Sequence, residues 1–460
     1  MVFSSNIFLF VYLPIVLAVY YLVPGKYRNA VLFVVSLVFY GWGEPVYLLL
    51  MAAVILLNYA CGARIAALKR QGRPARRALA LSVVLNLGIL TYFKYAAFLV
   101  RTFRLLPFLR AFPVPEISLP IGISFYIFQS MSYTIDVYRE SARPAGGLLR
   151  FGTYVSMFPQ LIAGPIVRYQ DVADQIDGRR ESVEQFAEGV TLFVIGLAKK
   201  VLIANQVGAL WKEMIASDGI LSAWVGLFAY SMQIYFDFSG YSDMALGLGR
   251  MLGFTFLKNF DYPYISKSVS EFWRRWHISL ATWFREYVYI PLGGNRRGKK
   301  RQLLNILLVW ALTGLWHGAS WNYVLWGIYY GLFIVADRLF LDRWTARWPS
   351  ALRHAATLLV VDLGWPLFYF ENIREGIAFF GRLFHYSATG VHAVNLIWAY
   401  LPILVAAAVA ATPLGARLWR KVETKRAAQG CKLLLLAAVL LLCVASLATQ
   451  SYNPFIYFRF

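Results

Sequence analysis

Apolar segments of about twenty residues recur from one end of the chain to the other, each the length a helix needs to cross a ~30 Å hydrocarbon core. Leu433 to Leu447, for example, carries no charge at all. Inside a bilayer every backbone polar group must be satisfied by the chain itself, which leaves helical bundles and closed barrels. Barrel strands alternate over about ten residues, whereas the runs here are continuous. Composition agrees: 59% of residues are hydrophobic and only 15% charged, against about 25% charged in soluble domains. The chain reads as an all-α polytopic membrane protein, residues 1–460 forming a single membrane-embedded domain. Roughly ten to twelve crossings are expected, plus re-entrant or interfacial helices; Gly152 to Leu292 is where the sequence leaves the count open.

The first segment, Ile7 to Val23, follows Met-Val-Phe-Ser-Ser-Asn, with no basic residue and no small-residue cleavage site. It is expected to be a membrane helix rather than a cleaved signal peptide. Asn29 to Trp42, Val46 to Ala66 and Ala78 to Phe103 follow, then a Pro-rich connector and Ile121 to Tyr138. Pro159 and Pro165 must break Gly152 to Tyr169, because each lacks an N–H and crowds the preceding turn. Arg179 to Glu188 reads as polar and exposed. Gly189 to Leu210 is interrupted by Lys199-Lys200, read either as lysines snorkelling at a helix end or as a phosphate contact. Leu221 to Phe238 ends in Asp237-Phe-Ser-Gly-Tyr-Ser-Asp243, where Ser239-Gly240 is expected to interrupt the helix. From Ser266 to Leu292, Phe272, Trp273, Trp276, Leu280, Trp283 and Tyr287 recur at helical spacing, with Arg274, Arg275 and Arg285 interleaved. That pattern predicts one Trp-rich helix, carrying His277, that lies in or dips below the membrane surface. Leu303 to Trp316, Trp321 to Ala336, Ala355 to Phe370, Ala393 to Ala411 and Leu433 to Leu447 complete the apolar segments.

The net charge of +22 in such a chain marks cytoplasmic loops and anionic-lipid contact. No nucleic-acid module is visible, so no nucleic-acid partner is expected. One apolar segment precedes Lys26, two more lead to the basic loop Arg64–Arg77, and four lie between Arg296–Arg301 and Arg417–Arg426; such even counts between basic loops are what a shared cytoplasmic side requires, and both termini then face outward. The sixteen steps from Arg301 to His317 cover about 24 Å of helix in a ~30 Å core. His317 is therefore expected within the membrane, at or beyond the midplane as seen from the cytoplasm.

An imidazole there gives up hydration and must find a partner. It is either a helix-packing histidine or a general base, the role for which its ordinary pKa suits it. Two histidines on different helices, His277 and His317, could share a site. Without a carboxylate or thiolate set they make a poor zinc site, so no metal is expected. Cys61, Cys431 and Cys443 have no metal-type spacing and read as structural. Asp237 and Asp243 do not share a helix face. Each is either an acid paired with an arginine such as Arg168 or Arg139, or a site residue, as intramembrane acids often are. No nucleophile elbow, P-loop or dinucleotide fingerprint occurs.

Three stretches together resemble the membrane-bound O-acyltransferase (MBOAT) family: Trp273-Arg-Arg-Trp-His277-Ile-Ser-Leu, Trp283-Phe-Arg-Glu-Tyr-Val-Tyr-Ile-Pro-Leu-Gly-Gly and Leu315-Trp-His317-Gly. Phe158-Pro-Gln-Leu-Ile-Ala-Gly-Pro-Ile-Val-Arg168, Gln233-Ile-Tyr-Phe-Asp-Phe-Ser-Gly-Tyr-Ser-Asp243 and the tail Asn453-Pro-Phe-Ile-Tyr-Phe are similar to its alginate-type bacterial branch. The resemblance covers nearly the whole chain. It implies a helical ring around a central tunnel joining a cytoplasmic donor to an outer acceptor, with His317 essential and His277 its second polar residue. Trp316, Asp237, Ser239, Tyr241, Arg274 and Arg275 are the expected substrate-binding residues. The implied activity is membrane O-acetyl transfer in the bacterial inner membrane, from acetyl-CoA as donor substrate and with no bound cofactor. The implied product is an O-acetylated exopolysaccharide such as alginate, finished by extracytoplasmic acetyltransferase partner proteins. D-alanyl or another acyl transfer within the family is one alternative. A non-catalytic acyl or lipid transporter is another, against which the lack of an internal repeat weighs.

Overall fold

The computed structural model describes residues 1–162, 164–423, 425–449 and 455–456. Of the similarity stretches above, Ala163 and all of the tail except Phe455 and Ile456 lie outside the described residues. Among the described residues the regular structure is helical throughout. Five helices are long and apolar enough to cross a membrane: Tyr47–Arg70, Arg76–Phe103, Trp321–Thr345, Val391–Ala410 and Ala428–Thr449. The chain divides into two compact units, residues 1–193 with 244–257, and residues 194–243 with 258–460.

In the first unit the N-terminal apolar segment is a π-turn, Phe8–Tyr12, running into the helix Leu13–Leu22. Arg28–Gly41, Tyr47–Arg70, Arg76–Leu90 and Ile123–Arg139 follow as helices. Apolar side chains point outward from these helices, Leu49 and Val84 among them, as contact with lipid allows. Polar side chains turn inward and pair. Asn86 Nδ2 donates to Asn58 Oδ1 at 2.8 Å, and Ser82 Oγ donates to Thr134 Oγ1 at 3.0 Å. Such inter-helix bonds hold helices together where lipid supplies no hydrophobic driving force, at about 0.6 kcal/mol each.

Both prolines break their segment as expected. Pro159 opens the single turn Phe158–Leu161, and Pro165 begins the irregular stretch 165–168. The expectation that Arg179 to Glu188 is exposed fails at its first residue. The Arg179 side chain is 6% exposed and paired with Glu181; it donates to Tyr20 Oη at 2.9 Å and to Asn29 Oδ1 at 2.7 Å. A guanidinium carries five donors and is buried only where acceptors meet them, and these acceptors come from the far end of the sequence.

In the second unit the antiparallel helices Lys299–His317 and Trp321–Ala336 form a hairpin. Its closeness is set by glycine: a Cβ on Gly314 would strike the Tyr323 carbonyl oxygen, and one on Gly327 the Trp310 carbonyl oxygen. Ser350–Tyr369 and Val391–Ala410 follow. Of these four helices, Trp321–Thr345 and Val391–Ala410 are long and apolar enough to cross a membrane.

Two expectations for this unit are corrected. Ser239-Gly240 does not interrupt its helix, which runs unbroken over Ile220–Met251; a Cβ on Gly240 would meet the Gly196 carbonyl oxygen, so this glycine permits close packing instead of a bend. Asp237 and Asp243 pair with lysines and not with arginines: Lys200 Nζ to Asp237 Oδ1 and Lys199 Nζ to Asp243 Oδ2, both 2.6 Å. Arg168 is engaged by Asp171 at 2.7 Å. Lys199 and Lys200 open a π-turn, Lys199–Ala204, and its extra residue per turn changes which way side chains face. They are internal ion-pair partners, which answers the choice between snorkelling and phosphate contact.

Candidate active site

His317 is the last residue of the helix Lys299–His317 and is 2% exposed. Gly318 ends that helix in extended backbone, and a Cβ at Gly318 would collide with the Tyr323 ring. The Trp-His-Gly order thus places an imidazole at a tightly packed helix end. Trp316, Trp326 and Phe368 surround the ring at centroid distances of 5.0, 5.1 and 5.3 Å.

His277 does not sit on one continuous helix. The predicted Ser266 to Leu292 helix is three pieces, Val269–Arg275, Ile278–Phe284 and a π-turn Arg285–Tyr289. Between the first two, Trp276 is extended and His277 is left-handed, φ 47° and ψ 53°. For a residue with a Cβ this conformation costs about 1–2 kcal/mol and persists only where the surroundings enforce it. Asn259 enforces it. Its carbonyl oxygen accepts from Ile278 N–H at 2.9 Å. Its Oδ1 accepts from Ser279 N–H at 3.1 Å and Ser279 Oγ at 3.0 Å. Asn259 takes over bonds that a continuous helix would have made internally.

The same oxygen fixes the imidazole. Ser279 N–H can only donate, so the Asn259 atom facing it is the oxygen. That oxygen lies 3.2 Å from His277 Nδ1, so Nδ1 carries a proton. In the neutral ring the lone pair is then on Nε2.

The two histidines meet. Their ring centroids are 6.4 Å apart, and both line one cavity of about 230 Å³ together with Trp273, Trp276, Trp310 and Thr313. The cavity follows one face of the Lys299–His317 helix, at Ile306, Val309, Trp310, Thr313 and His317, about 16 Å of rise. Gly327 packs on Trp310 and Gly331 on Leu307, so the hairpin register puts Arg338 toward the Lys299 end. Arg338, Arg285 and Tyr289 also line the cavity. It therefore carries histidines at one end and an arginine at the other, with aromatic walls between. Thr313 is the one aliphatic hydroxyl among the described residues lining it, and its Oγ1 donates to the Val309 carbonyl oxygen at 2.8 Å.

The remaining expected site residues stand elsewhere. Trp316 is buried beside both rings, its centroid 6.0 Å from His277, but does not line the cavity. Asp237 is buried with Lys200, and its Oδ2 accepts from Ile456 N–H at 2.8 Å. Ser239, two residues along, is also buried, and the Tyr241 ring lies tilted against Phe455 at 4.6 Å. Phe238, beside Asp237, is the residue of that stretch that touches His277, at 4.7 Å. Arg275 is held by Glu271 at 2.9 Å and Asp261 at 3.3 Å; Arg274 is exposed. Asn259, Arg285 and Arg338 are the residues the sequence reading did not assign. Arg285 was visible as a cation beside the Trp pattern, whereas Asn259 and Arg338 belong to no pattern.

Residues 140–373 match the family described as MBOAT, membrane-bound O-acyltransferase family. A protein of Pseudomonas putida described as probable alginate O-acetylase AlgI is 42% identical, with both chains covered in full. The peptidoglycan O-acetyltransferase of Helicobacter pylori is 31% identical over 82% of this chain and 78% of its own. The teichoic acid D-alanyltransferase of Bacillus subtilis is 27% identical over 54% of this chain and 68% of its own.

Proposed function

The chain belongs to the membrane-bound O-acyltransferase family and is a multi-pass membrane O-acyltransferase, and from that premise we propose that it moves an acetyl group from cytoplasmic acetyl-CoA toward an extracytoplasmic polysaccharide hydroxyl. The carrying observation is the cavity that joins His277 and His317 to Arg338 along one helix face. An acetyl thioester entering from the basic end would bring its carbonyl to the histidines while its charged part stayed near the arginines. Arg274 and the Arg296–Arg301 loop extend that basic surface and raise the local concentration of an anionic donor.

His317 is the general base. It takes the acceptor hydroxyl proton as the oxygen attacks the thioester carbonyl. The C–S bond breaks as the new ester C–O bond is completed, and the imidazolium returns its proton to the leaving thiolate. General-base help of this kind contributes about 100- to 10,000-fold. His277, with its Nε2 lone pair directed by Asn259, orients the acceptor by accepting from a neighbouring hydroxyl of the sugar. Aromatic walls exclude water, which would otherwise compete as acceptor.

The polymer is alginate, on the strength of the full-length relatives named for alginate O-acetylation, and outer partner proteins complete the transfer. The bacterial inner membrane is the site. The test is transfer in inverted inner-membrane vesicles that retain the outer partner proteins. Labelled acetyl-CoA outside inverted vesicles should yield labelled ester on an enclosed acceptor. Release of label only as free acetate, or none above a His317→Gln control, would refute the reading.

A further inference from the structure

A second, smaller cavity of about 140 Å³ lies elsewhere in the same unit. Its lining includes Lys267, Asp337, Trp344, Trp348, Arg353 and Thr357. None of these lines the cavity of the two histidines. The cavity sits at the end of the apolar span Trp321–Thr345. Trp344 and Trp348 meet edge to face there at 4.9 Å, and Trp344 is 60% exposed. Tryptophan pairs of this kind mark a membrane–water boundary, and the loop count makes it the cytoplasmic one.

The cavity's two cations, Lys267 and Arg353, outnumber its one carboxylate, Asp337. Among the described residues no partner exists for Arg353 Nε, which is buried, and no ion pair engages Lys267 or Arg353. The cavity's one carboxylate, Asp337, is taken up by Ser270 N–H, which donates to its Oδ2 at 2.8 Å. A buried guanidinium nitrogen left without an acceptor is costly, so an anion is the ligand that completes the site. Phe333, Leu341 and Val360 supply an apolar wall on the membrane side, which a free inorganic anion would leave unused.

We propose that this cavity binds the phosphate of an anionic phospholipid headgroup, the phosphodiester between Lys267 and Arg353 and the glycerol against the tryptophan pair. The three pieces it joins bear on the active site. Lys267 to Val269 leads into the segment carrying His277. The Ser350–Tyr369 helix carries Phe368, which packs on His317. Trp321–Thr345 carries Trp326, which also packs on His317. A bound headgroup stabilises the frame that holds both imidazoles, whatever the acyl donor.

The experiment uses purified full-length protein in nanodiscs of phosphatidylcholine alone or with phosphatidylglycerol, read by thermal unfolding and by native mass spectrometry of lipid retained through detergent. The wild type should unfold several degrees higher with phosphatidylglycerol and should retain it. Lys267→Gln/Arg353→Gln should lose both the rise and the retained lipid, and Arg343→Gln, an exposed arginine outside the cavity, should keep both. If the double variant does not fold, Lys267→Gln carries the test alone, because Lys267 is exposed and its ammonium makes no ion pair among the described residues. An unchanged preference in the variants overturns the site. An equal loss in Arg343→Gln overturns it in favour of diffuse surface charge. The same rise from inorganic phosphate in phosphatidylcholine discs overturns the lipid assignment.

Discussion

His277 and His317 face each other with ring centroids 6.4 Å apart, yet the two reach that position by different means. His317 ends a continuous helix and packs against Trp316, Trp326 and Phe368. His277 occupies a left-handed turn and is held by a hydrogen bond to Asn259. Packing fixes where a ring sits, while a hydrogen bond at one nitrogen also fixes what the other nitrogen can do.

A base that removes a hydroxyl proton cannot be replaced by a shape mimic. Asparagine and glutamine keep a hydrogen-bonding side chain of similar reach, but neither takes a proton at neutral pH. His317→Asn and His317→Gln are expected to accumulate in the membrane at the normal level and to lose acetylation by about 100- to 10,000-fold. A packing histidine predicts the opposite, since an amide can satisfy the same neighbours. Near-normal acetyl transfer by either variant would end the catalytic assignment.

Asn259 is expected to act on the reaction without touching the reacting atoms. His277→Ala should lower transfer while the protein still folds, because the tryptophans of this segment hold it in place. Asn259→Ala removes the oxygen that sets the tautomer and should lower transfer by at least about 10-fold. Asn259→Asp keeps an acceptor and adds a negative charge that favours the imidazolium. Its pH–rate profile should therefore move to higher pH, since the neutral imidazole forms only after a raised pKa is passed. An Asn259→Asp profile that overlays the wild type would show that Asn259 shapes the backbone alone.

The helices were legible because apolar runs and prolines are local signals. The site was half legible for the same reason. His317 stands at the end of a periodic segment, and its helix was readable as a straight rod. The turn at His277 was not, because no glycine or proline marks it; Asn259, distant in sequence, supplies the bonds. Once the helix is broken there, every face assigned downstream by a single helical wheel is rephased. That is why Arg285 lines the cavity; Arg275, ahead of the break, is spent on Glu271 one turn back and on Asp261. The π-turn at Lys199 hid the lysine–aspartate pairs in the same way.

Topology gives a prediction independent of the chemistry. The loops Arg64–Arg77, Arg296–Arg301 and Arg417–Arg426 are expected to share the cytoplasmic side. The four apolar segments read between the last two loops have the even parity this requires. Single cysteines placed in each loop of a cysteine-free chain should react with a membrane-impermeant maleimide only after the cells are opened. Labelling at any of the three in intact cells breaks the parity, and labelling at Arg296–Arg301 inverts the direction from which the cavity is filled.

Asp237 separates structure from chemistry most sharply. Its carboxylate and the Lys200 ammonium are 2% and 4% exposed and 2.6 Å apart. Removing one member of such a pair leaves a buried charge and costs about 3–5 kcal/mol, whereas replacing both by apolar groups of similar volume is often neutral or stabilising. Lys200→Met and Asp237→Leu should each lower the unfolding temperature and the amount of protein in the membrane. The double variant Lys200→Met/Asp237→Leu should recover most of that loss. It still forgoes the bond from Ile456 N–H to Asp237 Oδ2, a deficit of about 1 kcal/mol. Because neither residue lines the cavity of the two histidines, the recovered double variant should also transfer acetyl at close to the wild-type rate. A double variant that is stable yet inactive would return Asp237 to the reaction as a group that binds substrate or carries a proton.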